Sequence, residues 1–366
     1  MATRGQAQCA LSSLLARGVA VIPCFAQESL PQIKAEFLHA LRTLPELREE
    51  TEVASRVPAF GGFGALGLPS SFHHPFIRLL RREVYKATRP LFEMLLPVLD
   101  EQEGGEAGAY NLEQLVDRVQ LRPAGATPTA ESFHRDLSVY GPGCSAVDGD
   151  HIFGGWVNLD ETPQGFSCVL GTHVPGKNSA VGASGFNSIT SRAEIEQWKA
   201  QRSLITIPPG HLILFYSNIV HEVLAKKRSF PSARMYCGWR CTTSMRPLFD
   251  DFEARMAQQE AIALPSRQEP PLHAKLHWTN WPAQLQAWSI AMLKPQYLVE
   301  RTVKSGKRAN ERFTVAPQVL RSSGIHYPAY TDEELALHRP HRVAPLALAL
   351  PLAAYHEIAS KRARIA

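Results

Sequence analysis

The chain has 366 residues, 45% hydrophobic and 20% charged, which is enough to bury a full core as one large domain with an appendage or as two domains. Six scattered cysteines with no C-x-x-C pair exclude a zinc knuckle and a disulfide framework, and no apolar run reaches membrane-span length. The net charge of +5 lies wholly in the C-terminal part, with 15 Lys and Arg against 10 Asp and Glu from residue 251 onward and 24 of each before it. An excess of this size is ordinarily a solvated face, so nucleic acid is not an expected partner.

Taken in chain order, residues 11 to 25 predict a short helix and then a buried strand, Gly18–Pro23. Arg4 and Arg17 precede the first acidic residue, Glu28, as in a mitochondrial presequence. The core strand so close behind favours an unprocessed start, and a reducing, cytoplasmic setting is the expectation. Leu30, Ile33, Phe37, Leu38 and Leu41 stand at helical spacing in a stretch from Gln27 to about Arg48. The Gly-rich run Pro58–Gly67 lacks the Lys-Ser/Thr of a phosphate-binding loop and reads as a loop. A long helix is predicted from Pro75 to about Leu99, with Phe76, Leu79, Leu80, Val84, Leu91 and Leu95 inward.

From 115 to 248 the texture changes to short β-rich runs between Gly/Pro turns: Val116–Arg122, Leu137–Tyr140, Gly155–Asp160, Cys168–Leu170, Ser203–Ile207, Leu212–Tyr216 and Met235–Cys241. That pattern predicts an α+β chain with a mainly β core. The core is expected to be a double-stranded β-helix, jelly-roll and cupin-like, with N-terminal helices packed on one sheet. Residues 1–248 would form this domain. Residues 249–366 are expected to be a basic C-terminal extension with room for a protein partner. Within it, 264–272 reads as a linker, 273–300 as a helix carrying Trp278, Trp281 and Trp288, and 301–345 as irregular.

The chemistry-bearing pattern is His134-Arg135-Asp136 at the end of a strand. Alternate residues of a strand point the same way, so both side chains can face one metal. His221, just past the strong strand Leu212–Tyr216, is the candidate third ligand. Two imidazoles and one carboxylate on one face leave three open positions, the facial arrangement of non-haem Fe(II) oxygenases. An H-x-D triplet by itself is weak in a chain with 14 His, and a core or loop role for His134 is the alternative. The three open positions would serve 2-oxoglutarate, which chelates through two oxygens, and O2. Thirteen residues after His221, the run Arg234–Arg240 reads as a strand with Arg234, Tyr236, Gly238 and Arg240 on one face. Arg234 can grip the distal carboxylate of 2-oxoglutarate with two parallel hydrogen bonds. Arg228 competes for that role, and an edge-strand surface position is the other reading of Arg234. Arg122, Arg135 and Arg240 are further arginines for which cavity and surface placement stay open.

These segments together resemble the phytanoyl-CoA dioxygenase family over roughly residues 11 to 245. Gly18–Pro23 resembles its first strand, Ser132–Asp136 its H-x-D segment, and Gly155–Asp160 its W-x-x-L-D strand. Gly171-Thr172-His173 resembles its P-G-[ST]-H turn and Pro209–Phe215 its G-D-x-x-x-F strand, with Val220-His221 and Arg234 following. The chain departs from the pattern at Leu170 (usually Pro), His211 (usually Asp) and Val223 (often a Ser that helps hold the co-substrate). The resemblance implies an Fe(II)- and 2-oxoglutarate-dependent dioxygenase that uses O2, releases succinate and CO2, and hydroxylates a small organic substrate. It further implies Trp156 and His173 as pocket residues; a core aromatic and a turn residue are the respective alternatives. Retention of Asp136 disfavours halogenation, since related halogenases carry a small residue there. The rival readings are a non-catalytic scaffold that kept the fold and a nucleic-acid-modifying oxygenase.

Overall fold

The computed structural model describes residues 3–42, 65–66, 74–102, 108–115, 119–122, 124–125, 130–136, 150–173, 187–189, 191–224, 227–245, 300–302, 312–314 and 331–344. The expectations for residues 43–48, for most of the Gly-rich run, for Leu137–Tyr140 and for 249–299 fall outside these residues.

Helix α1 spans Arg4–Arg17 and starts earlier than the hydrophobic pattern indicates. Thr3 and Gln6 form a reciprocal capping box, which satisfies N-terminal amides that apolar spacing does not register. The helix ends at Gly18, whose φ of 82° and N–H bond to the Leu14 carbonyl make a left-handed stop. Strand β1, Val19–Pro23, follows at once. Helix α2 is Leu30–Arg42 and helix α3 is Pro75–Gln102. Leu79, expected inward on α3, is instead 42% exposed. The buried stripe runs through Ile77, Leu80, Val84, Leu91 and Leu95, and position 79 turns away from it.

Twelve described strands then form two antiparallel sheets. The short β2 (Ala65–Leu66) is followed by β3 (Asn111–Leu115), β4 (Val119–Arg122), β5 (Glu131–Arg135) and β6 (His151–Asn158). Strands β7 (Gln164–Cys168), β8 (Asn187–Ser188) and β9 (Ser203–Ile207) come next, with helix α4 (Arg192–Gln201) before β9. Strands β10 (His211–Tyr216), β11 (His221–Val223) and β12 (Ser232–Thr242) complete the two sheets. The larger sheet has the order β1-β10-β6-β12-β4-β2, with β3 also on β12; the smaller is β8-β5-β11-β7-β9. Strand β3 does not appear in the sequence pattern, because Asn111, Glu113 and Gln114 are polar and yet fully buried. Glu113 is stabilised there by Arg240 Nε at 2.7 Å, a pair on which Asp150 also bears at 3.4 Å from Arg240 Nη1.

Period-2 alternation sorts the larger sheet into two faces. Leu212, Leu214, Phe153, Val157, Met235, Cys237 and Trp239 join the helices in one core. Trp156, Ile213, Phe215 and Tyr236 point the other way and meet Phe166, Cys168 and Ile207 of the smaller sheet. The two sheets therefore face each other across an interior that the described helices do not enter.

The C-terminal part is not wholly irregular. Strands β13 (Glu300–Thr302) and β14 (Arg312–Thr314) pair, and α5, Asp332–Leu337, is a short helix. Residues 331–344 dock on the helix side of the body. Arg78 of α3 pairs with Glu334, His338 Nδ1 donates to the Gln114 carbonyl (2.9 Å), Tyr85 donates to His341 Nε2 (2.7 Å), and Leu112 exchanges backbone bonds with His341.

Candidate metal centre

The strand pairing brings the three candidate ligands together. Strand β11 lies between β5 and β7, and His221 stands directly opposite His134 on one side and Cys168 on the other. Asp136 follows β5 immediately, and its N–H is held by the Ser217 carbonyl at 2.8 Å. The carboxylate thus falls on the same side as His134, two residues earlier. The imidazole centroids are 4.1 Å apart, and one ligand atom from each of His134, Asp136 and His221 lies within 4.8 Å of the others.

The hydrogen bonds of the two rings settle their tautomers. His134 Nδ1 donates to the Ser132 carbonyl at 2.7 Å, and His221 Nδ1 donates to the Ile219 carbonyl at 3.1 Å. A carbonyl only accepts, so each Nδ1 carries a proton, and in the neutral ring Nε2 is the atom left to bind a metal. Both Nε2 atoms approach the carboxylate: His134 Nε2 is 3.8 Å from Asp136 Oδ1 and His221 Nε2 is 3.7 Å from Oδ2. Both separations are too long for hydrogen bonds. A cation placed among these three groups would take two nitrogen donors and one carboxylate at once. The donor set therefore fits a divalent metal bound on one face, and nitrogen and carboxylate donors together suit iron. His134 and His221 are almost fully buried, while Asp136 keeps 23% of its side chain exposed. Phe166 and Phe215 stack on each other (4.7 Å) and each lies 5.4 Å from the His221 ring, which walls this side with apolar surface.

Arg135, between the two ligands, points away from them, as alternation requires. Its Nη1 donates to the Thr172 carbonyl (2.7 Å) and to the Asn218 carbonyl. Burial pushes its guanidinium down from the ordinary arginine range, with Glu194 opposing. Thr172 donates to the Val169 carbonyl (2.7 Å) and accepts from Val220 N–H (2.9 Å). The Gly171-Thr172-His173 turn thus braces the backbone that delivers His221. His173 itself sits against α1: its Nε2 donates to the Leu15 carbonyl at 3.2 Å and its ring stacks on Tyr216 at 4.8 Å. Tyr216 belongs to the helix-side core, so the structure does not bring His173 to the triad.

Arg234 lies on the interior face of β12, half-buried, with Cζ 3.8 Å from the centroid of the Trp156 ring. Burial lowers its pKa from the ordinary value; Tyr236 opposes this through charge and a hydrogen bond, Arg228 adds to it, and Asp160 opposes it. Its Nε donates to Gln164 Oε1. The Gln164 amide in turn donates to Asn158 Oδ1 and Asp160 Oδ2, both at 2.8 Å. Asp160, almost fully buried, also accepts from Ala233 N–H (3.0 Å), Lys34 (2.9 Å) and Arg228 (3.4 Å). Arg228 therefore reaches the arginine's support from outside, and its guanidinium also lies 5.5 Å over Phe230. Trp156 both fills the inter-sheet core and carries the guanidinium. Arg240 is engaged with Glu113 and Asp150 further along the same face, and Arg122 is half-buried beside Arg234. Gln164 and the hub at Asp160 escape the sequence reading, because a polar residue on a strand carries no mark of burial. The one hint is that Asn158, Asp160 and Gln164 flank a single short turn.

No family model matches the chain, and no curated protein matches it, so the likeness to phytanoyl-CoA dioxygenases is one of motifs. Solved structures of similar chain path exist. One is the non-haem α-ketoglutarate-dependent carbocyclase SnoK from nogalamycin biosynthesis (TM-score 0.43, 13% identity, covering 64% of this chain and 83% of that one). Another is EctD from S. alaskensis with 2-oxoglutarate and 5-hydroxyectoine (0.42, 13%, 65% and 76%). A third is AviO1 from Streptomyces viridochromogenes Tue57 (0.39, 14%, 68% and 99%). Likeness of this degree leaves function to the site's own geometry. Among the described residues no helix is long and apolar enough to cross a membrane.

Proposed function

We propose that the protein is an Fe(II)- and 2-oxoglutarate-dependent dioxygenase of phytanoyl-CoA dioxygenase type on a double-stranded β-helix, hydroxylating a small organic substrate. The observation that carries this reading is the convergence of two tautomer-locked Nε2 atoms and one carboxylate at 3.7–3.8 Å, with no hydrogen bond between them. His134, Asp136 and His221 would hold the iron. The metal, when bound with 2-oxoglutarate and O2, supplies the oxidising chemistry, and succinate and CO2 are the co-products.

The chain's own residues position and enclose. The Ser132 and Ile219 carbonyls fix the ring planes, so the ligands need little rearrangement to receive the metal. Phe166 and Phe215 keep water from the His221 side. Arg234, pressed on Trp156 and aimed by Gln164, presents a planar fork to a carboxylate on the interior face. In the scaffold reading the interior would be filled from the C-terminal extension; the described residues 331–344 pack instead on the helix side, against α3 and β3. A protein partner on the remainder of that extension stays a proposal, as does a cytoplasmic location.

The test is release of succinate from 2-oxoglutarate by purified protein, with and without Fe(II), and calorimetric binding of both. Iron-dependent succinate formation supports the assignment. Protein that takes up neither iron nor 2-oxoglutarate refutes it. Binding to nucleic acid that falls steeply with salt would favour the nucleic-acid-modifying reading.

A further inference from the structure

Arg234 has a second guanidinium beside it. In the β4–β12 register Arg122 faces Ser232 and Gln120 faces Arg234, so Arg122 and Arg234 are diagonal neighbours on the interior face. That diagonal is about 7–8 Å, within reach of long side chains. Both are half-buried, so both keep accessible surface although they stand between two sheets. Arg122 feels its neighbour: after burial, the charge of Arg234 is the next largest cause that brings Arg122 down to about 10, with Arg228 contributing in the same sense. Tyr236 and Glu131 oppose it. The carboxylate near Arg234, Asp160, already accepts from Ala233 N–H, Gln164, Lys34 and Arg228. Among the described residues, Arg122, Arg234, Arg228 and Lys34 stand against Asp160 and Glu131 at this end of the interior, a positive balance among the described charges. Gln120, across from Arg234, donates its amide to Tyr236 Oη at 3.3 Å, which adds neutral polar groups to the same patch. Two cations held together away from bulk water repel, and an anion placed between them removes that repulsion.

We propose that Arg122 is the second arm of an anion clamp whose first arm is Arg234, the two taking the distal carboxylate of 2-oxoglutarate from opposite sides. This rests on the co-substrate reading above. A carboxylate has about four lone-pair sites and can accept from two guanidinium groups at once. Arg234, fixed by Gln164 and Trp156, sets the direction; Arg122, from the neighbouring strand, adds charge and selects for a keto acid with a second carboxylate.

The experiment is calorimetric titration of the full-length protein loaded with Ni(II), a redox-inert substitute for iron. Two keto acids are compared: 2-oxoglutarate, and 2-oxobutyrate, which has the same chelating head and no distal carboxylate. Arg122→Gln should weaken 2-oxoglutarate about 10- to 100-fold, the effect of removing a charged hydrogen-bond partner. It should leave 2-oxobutyrate within about 3-fold. Arg122→Lys, which keeps the charge and loses the fork, should fall between wild type and Arg122→Gln, and it serves as the test if the glutamine variant fails to fold. Combining Arg122→Gln with Arg234→Gln should cost less than the product of the two single effects, because both act on one carboxylate. Wild-type affinity for 2-oxoglutarate in Arg122→Gln, with Arg234→Gln impaired, overturns the clamp alone. Equal weakening of both keto acids also overturns it, since that is a general disturbance of the pocket. Wild-type protein that takes Ni(II) and binds neither keto acid overturns the co-substrate reading, and the clamp with it.

Discussion

Asp160→Ala should damage folding and co-substrate binding together. The carboxylate accepts from the Ala233 N–H and from the Gln164 amide, both in the buried core, as well as from Lys34 and Arg228. The two cations sit nearer the surface, with 16% and 18% of their side chains exposed, and can turn to water. The Ala233 N–H cannot, whereas the Gln164 amide keeps Asn158 Oδ1 (2.8 Å) and the Ala233 carbonyl (3.3 Å) as acceptors. One unsatisfied buried donor, with two cations losing their counter-charge, should together cost about 2–4 kcal/mol. That is a large part of the roughly 5–15 kcal/mol a protein of ordinary stability has. Asp160→Asn keeps an oxygen for Ala233 N–H but turns an amide toward Gln164 and the cations, and should lose about 1–2 kcal/mol. With one of its acceptors replaced, Gln164 aims Arg234 less firmly, and 2-oxoglutarate should bind Asp160→Asn about 10-fold more weakly. Urea unfolding measures the first effect and calorimetry on Ni(II)-loaded protein the second. If Asp160→Ala unfolds within about 0.5 kcal/mol of wild type, the carboxylate is not the hub its contacts describe.

Replacing His134, Asp136 or His221 by Ala should abolish metal-dependent turnover and lower metal affinity with the circular dichroism unchanged; wild-type metal affinity in any one removes that residue from the set. Arg234→Ala should weaken 2-oxoglutarate roughly 30- to 1000-fold, from the loss of about 2–4 kcal/mol, and Arg234→Lys should recover little. Arg228→Ala should leave 2-oxoglutarate binding nearly unchanged, since its partner Asp160 keeps three other donors; a large loss would show that Arg228, not Arg234, meets the ligand. The docked segment 331–344 should loosen in acid. Burial lowers the pKa of His338 to about 3 and moves that of His341 in the same direction, so both bind in the neutral form. Their contribution is complete above the unfolded value of about 6.5 and is lost as pH falls from there toward 3. Hydrogen exchange of residues 331–344 should therefore accelerate across that range, and pH-independent protection would contradict it. Gly18→Ala should cost about 1–3 kcal/mol, because the backbone there is left-handed and a Cβ would lie 2.6 Å from His173 Nδ1; a thermal midpoint equal to wild type would refute the stated geometry.

How far this site shows in the sequence depends on which physical rule places each residue. His134 and Asp136 are legible because two residues separated by one on a strand must share a side. His221 is legible because the apolar run before it can only be a buried strand, which fixes where its exit lies. Arg234 follows from the same alternation in β12. Gln164 and Asp160 are not legible, since their role depends on which polar atoms meet across a turn. Strand β3 hides for a related reason: Glu113 is stabilised in the core by Arg240, which arrives opposite it from more than a hundred residues later. His173 shows the limit of motif reading. Its turn serves the metal side through Thr172, while its own ring faces α1.

The pairing of Val19 with Phe215, of His134 with His221 and of Leu112 with His341 has a consequence for how the protein comes into being. Each joins parts of the chain that leave the ribosome far apart in time, and loop closure must be met before any of these contacts stabilises the fold. No fragment ending before residue 221 holds all three ligands. A metal held by these residues would then be a late arrival to an assembled chain rather than a template for the nascent one, and chelators should remove it without unfolding what Thr172 and Arg135 have already braced.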